Sequence, residues 1–157
     1  MVKTKFPMLE QRRIEANILK AIYAEIKRRL GEASAQDILG TAVINDSISQ
    51  GQAYARVAED TSLLGFAATL PQWTANQALE IEVIEQTSKK LHFNVVRCRY
   101  SEMYREMGLE HIGHLLSCNR DGTFCKGFNP DINFKRTQTI MEGKSHCDFR
   151  YDIGDDD

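Results

Sequence analysis

This 157-residue chain has few of the features that assign a function on sight. It has no charge excess: 20 basic residues face 22 acidic ones, a formal net charge of −2. A general nucleic-acid or membrane-surface binder needs a basic surplus, so neither nucleic acid nor membrane is an expected partner. It has no long apolar run. The longest, Leu63 to Leu70, is broken by Gly65 and Thr69 and is far too short to span a bilayer. The start, MVKTKFPMLEQRR, lacks the apolar core of a secretion signal, which makes a cytoplasmic location the expectation. No CxxC pair occurs among Cys98, Cys118, Cys125 and Cys147. Free thiols are therefore expected, not disulfides. A glycine-rich phosphate loop, a Gly-x-Ser-x-Gly elbow, an HExxH motif and internal repeats are all missing.

What is present is a 42% apolar share, enough for one core without staples. A single domain over 1–153 is expected, followed by a frayed acidic tail over 154–157. Met8 to Leu30 predicts a helix, with Ile14, Ile18, Leu19, Ile22, Tyr23, Ile26 and Leu30 as its apolar stripe and Arg12 off it. Gly31 marks its end. Ser34 and Asp37 suggest a capping box for a second helix over Ala35 to Glu59, weakened by Gly40 and Gly51. A third helix over Thr61 to Leu70 stops near Pro71. Period two then takes over. Ala78 to Glu85 and Leu91 to Tyr100 predict a hairpin. On the second strand Leu91, Phe93 and Val95 share a face that Arg97 and Arg99 continue. Arginines on a buried face need an anion.

Two further helices are predicted, Ser101 to Met107 with Ser101 as cap, and Glu110 to Gly127 with a break at Asp121–Gly122. A strand over Ile132 to Met141 puts Arg136 and Glu142 on an apolar face. A turn leads to the last strand, His146 to Tyr151. The fold class is α+β: N-terminal helices, then an antiparallel sheet with helices inserted between two hairpins.

The reactive side chains crowd between Arg97 and Tyr151. Cys118 is either a core thiol beside Leu115 and Leu116 or a nucleophile, if a base or cation lowers its pKa. Asp121 is either a turn residue or a general base. His146 near Glu142 can carry protons, but His146 and Cys147 are neighbours on a strand and point to opposite faces. Cysteine, histidine and acid ligands match no standard zinc spacing, so no metal is assigned.

The blocks RCRYSEMYREMG, SCNRD, GFNP and RTQTIMEGKSHCDFRY resemble the L-2-amino-thiazoline-4-carboxylic acid hydrolase family. The order of elements also resembles vinyl-reductase-type ligand-binding domains. The family resemblance implies hydrolytic opening of a small cyclic amidine or amide ring that carries a carboxylate, without a cofactor. It brings forward Cys118, Asp121 and Cys147 as catalytic candidates, beside Glu142 and His146, which the cluster on the closing hairpin itself suggests. Arg97, Asn119, Asn129 and Arg136 are the substrate-binding candidates, the arginines for the carboxylate. The alternative is a non-catalytic small-molecule-binding or sensory domain on the same scaffold. Self-association stays open, since the first helix can pack on its own domain or on a second copy.

Overall fold

The computed structural model describes residues 6–154. The rest of the acidic tail, 155–157, lies outside them. Helices α1 (Met8–Leu30) and α2 (Glu32–Val57) pack on one another. Gly31, at φ 87°, is both the end of α1 and the cap of α2. The left-handed φ favours glycine there. The Ser34–Asp37 capping box does not form, because α2 has begun before it. The expected third helix is two: α3 (Leu63–Ala67), capped by Ser62, and α4 (Leu70–Thr74). Pro71 opens α4, where its missing N–H costs nothing.

Strands β1 (Leu79–Gln86) and β2 (Lys90–Cys98) make the predicted hairpin, and α5 (Arg99–Glu106) follows at once. Ser101 does not cap α5; its hydroxyl donates to the Cys98 carbonyl inside the helix start. A π-helical turn (His114–Cys118) then runs into α6 (Asn119–Phe128). No break occurs at Gly122. A Cβ there would lie 2.7 Å from the Phe134 ring, so glycine serves close packing, not a turn. The strand expected over Ile132 to Met141 shrinks to β3 (Asn133–Lys135). Asp148 takes the Thr137 and Gln138 amides out of the ladder, and a capped 3-10 turn follows at Ile140–Glu142. Strand β4 (Cys147–Asp152) closes an antiparallel sheet of order β1-β2-β4-β3.

Two apolar clusters result. One gathers α1, α2, α5 and the π turn around Tyr23, Leu39 and Tyr104. The other presses α3 and α6 onto one sheet face through Phe66, Phe93, Phe128 and Tyr151. Helices α2 and α6 meet backbone to backbone. A Cβ on Gly51 would stand 2.2 Å from the Phe124 carbonyl oxygen, and one on Gly127 2.1 Å from that of Ile48.

Helix α1 splits its predicted stripe: Leu19, Tyr23 and Ile26 pack inward, and the rest do not. Ile14, Ile18, Ile22 and Leu30 are exposed, whereas Arg12, Ala16 and Tyr23 are buried. No described helix is long and apolar enough to cross a membrane.

Candidate functional site

Where the two clusters meet lies a partly enclosed cavity of about 90 Å³. At roughly 15 Å³ per water, that is space for about six water-sized bodies, a small ring with substituents. Its walls are aromatic, with Phe66, Trp73, Phe93, Phe124, Phe149 and Tyr151 among them. Phe93 and Phe149 stack across the β2–β4 pair at 4.9 Å.

Helical spacing supplies the reactive side. Ser117, Cys118, Arg120, Asp121 and Phe124 recur at three and four residues, so one face of the π turn and α6 lines the cavity. π turns often occur at functional positions. Asp121 accepts from Arg136 Nη1 at 2.5 Å, and Arg136 Nη2 donates to the Cys118 carbonyl at 3.2 Å. The Arg136 guanidinium also lies 5.2 Å from the Phe134 ring centroid and 5.1 Å from that of Phe149. Burial works against its charge, but the Asp121 carboxylate more than offsets this and holds its pKa up. Asp121 keeps 34% of its side-chain surface accessible, towards the cavity. Protein surrounds that surface, so burial raises its pKa, with the Arg136 charge opposing. Burial, then the Asp121 charge, pushes the Cys118 thiol far up.

Cys147 also lines the cavity. Burial raises its pKa to about 11, partly offset by the Ile140 N–H, which donates to its Sγ at 3.1 Å. Cys98 is the third thiol of the lining. Its place follows from a β-bulge. Glu80 pairs with Arg97 but Ile81 pairs with Val95, so Val96 is an extra residue in β2. The alternation slips by one there. Cys98 turns inward, and Arg97, expected to point in, turns out to Glu80 and Glu102. Burial accordingly raises the Cys98 pKa.

The other candidates stand elsewhere. Glu142 is exposed and closes a capping box with Thr139. His146 precedes β4, its Nδ1 is occupied by Ser145 and Gln138, and it is not part of the cavity lining. Asn119 is off the cavity face of its helix, near Gly40 of α2. Asn129 donates to the Thr61 carbonyl and caps the turn at Asp131. Cys118, Asp121, Arg136 and Cys147 are thus brought together, and Arg97, Asn119, Asn129, Glu142 and His146 are not among them. Arg12 of α1 lines the cavity as well, which its place off the apolar stripe concealed. Among the described residues no group of three or more His, Cys, Asp or Glu could hold a metal ion.

The fold is similar to the phenol-responsive sensory domain of the transcription activator PoxR, solved with phenol. The TM-score is 0.52 at 12% identity, over 87% of this chain and 73% of that one. This likeness speaks for the fold alone. No curated protein matches the chain. The model of the L-2-amino-thiazoline-4-carboxylic acid hydrolase family matches residues 11–151, which includes every cavity residue, and the chain belongs to that family.

Proposed function

We propose that the chain hydrolyses a small cyclic amidine or amide that carries a carboxylate, with 2-amino-thiazoline-4-carboxylate, opened to a carbamoyl cysteine, as the representative substrate. The observation that carries this reading is Asp121, ion-paired to Arg136 beside Cys118 in a small aromatic cavity. Burial moves the Asp121 pKa up, towards the working range of a general base. Asp121 takes a proton from a water as the water oxygen bonds to the ring carbon between the heteroatoms. The tetrahedral intermediate then collapses. Its ring nitrogen has by then taken the first proton from Asp121, as the C=N pair moved onto it; the hydroxyl now gives its remaining proton to Asp121, the ring C–N bond breaks with its electron pair on nitrogen, and that nitrogen receives this second proton. One water is consumed and one carbonyl formed. Arg136 keeps Asp121 oriented. Cys118 is a poor resting nucleophile, because burial and the Asp121 charge keep its thiol protonated. Water attack is therefore favoured over a thiolate route.

A panel of cyclic amidines, assayed by mass spectrometry of the ring-opened products, tests this. Asp121→Asn should lose at least about 100-fold in turnover. Cys118→Ser should stay within about threefold. Full loss in Cys118→Ser with activity kept in Asp121→Asn would transfer the attack to the thiol.

A second reading is a small-molecule-binding module without catalysis. The aromatic walls and the fold likeness to a phenol-responsive sensory domain favour it. Tight binding of one panel member, with no turnover of any, selects it.

A further inference from the structure

Two of the most buried charged side chains in the molecule line this cavity, and the hydrolytic step uses neither. Arg12, from α1, is 3% exposed, and Arg120, from α6, is 8% exposed. Arg12 engages one nitrogen only. Its Nη1 donates to Glu15 Oε1 at 3.0 Å and Oε2 at 2.9 Å. Arg120 donates through Nε to the Leu116 carbonyl and through Nη1 to Asp46 Oδ2, each at 3.1 Å. Arg12 Nε and Nη2, and Arg120 Nη2, have no acceptor among the described residues. Glu15 and Asp46 are not part of the lining; Asp46 is 53% exposed and approaches Arg120 from the solvent side.

Arginines this little exposed keep their charge, and the nitrogens left without an acceptor are best met by one in the cavity that both residues line. Burial, then the neighbouring Arg12 charge, holds the Arg120 pKa below its ordinary value, so the two cations feel one another. An anion between them answers both deficits. Arg136 is less able to do this. Its Nη1 and Nη2 are taken by Asp121 and the Cys118 carbonyl, and Phe134 and Phe149 pack on its guanidinium.

We propose that Arg12 and Arg120 form a carboxylate-binding subsite, which holds the acid group of the ligand while its ring lies along the aromatic walls towards Asp121. The ring's identity rests on the hydrolytic reading above; the carboxylate preference does not. Selectivity for acid-bearing rings then comes from α1, an element remote in sequence from the residues around Asp121.

The test is calorimetric titration of the full chain with 2-amino-thiazoline-4-carboxylate and with 2-amino-thiazoline, which lacks the acid. The wild type should prefer the acid by tenfold or more. Arg12→Gln and Arg120→Gln should each reduce that preference by about tenfold or more and leave the affinity for the acid-free ring within twofold. Should these variants fold poorly, nitrogen NMR of the wild type gives the same answer. The Arg12 Nε–H resonance, assigned with Arg12→Lys, should move downfield with the acid-bearing ring and stay in place with the other. Equal affinity of the wild type for both rings, an unchanged preference in both variants, or an unmoved Arg12 resonance at saturation overturns the subsite. Selective binding without turnover keeps the subsite and removes the hydrolase. Turnover with unchanged discrimination in the variants does the reverse. Binding of neither ring removes both.

Discussion

Arg136 Nη1 donates to Asp121 Oδ2 at 2.5 Å, joining the residue that follows β3 to the first turn of α6 across 15 residues. The pair faces the cavity. Its chemistry follows from that placement: the guanidinium orients the carboxylate, and burial keeps the carboxylate basic.

Arg136→Leu should cost about 2–4 kcal/mol in urea denaturation, since it leaves Asp121 facing an apolar cavity without its cation. Hydrolysis should show an acidic limb. A base must be unprotonated, so activity rises with pH through the Asp121 ionisation, which burial places above the ordinary aspartate value of about 3.9. In Asp121→Asn that limb should vanish with the activity. A limb that survives the substitution assigns the ionisation to another group.

The thiols should be slow to alkylate. Burial holds Cys125 up at about 12 and Cys147 at about 11, and it raises Cys118 and Cys98 as well. Against an unfolded thiol near 8.5, iodoacetamide at pH 8 should label Cys125 and Cys147 of the native chain more than about 100-fold more slowly than in the denatured one. Rapid labelling of one cysteine in the native state, located by peptide mapping, would mark an activated thiolate and revive the thiol route.

Gly51→Ala and Gly127→Ala should both destabilise, by about 1–3 kcal/mol or more. Helix propensity alone predicts the opposite sign, a gain of about 1 kcal/mol for each. The Cβ contacts at 2.2 and 2.1 Å decide the matter, because each meets backbone that cannot yield cheaply. Urea midpoints measure the sign directly.

Much of the fold was legible. Local periodicity located α1, α2 and the β1–β2 hairpin, because 3.6 and 2.0 are periods that single side chains report. The Asp121–Gly122 step misled, since a glycine in a sequence can serve a turn or a close approach, and only the Phe134 ring shows which. The strand through Thr137 to Met141 misled for a similar reason: Asp148, ten and eleven residues on, captures the Gln138 and Thr137 amides. Of the site, Cys118, Asp121, Arg136 and Cys147 were named in advance, and the cavity holds all four. Arg97 was misread because one extra residue, Val96, reversed the strand's parity.

By itself the sequence determined the α+β class, the placing of its main helices and hairpin, and the family to which the chain belongs. These rest on short-range periodicity and on blocks of adjacent residues, which need no knowledge of distant contacts. Only the tertiary structure decided which face of α1 is buried, that a bulge turns Cys98 in and Arg97 out, and that Arg12 shares a cavity with Asp121. The reason is physical. A helix whose broad stripe runs from Ile14, Ile18 and Ile22 round to Leu19, Tyr23 and Ile26, beside Arg12 and Ala16, can bury either edge of it. The choice depends on what the sheet and α6 present to it, and the cavity exists only where those surfaces meet.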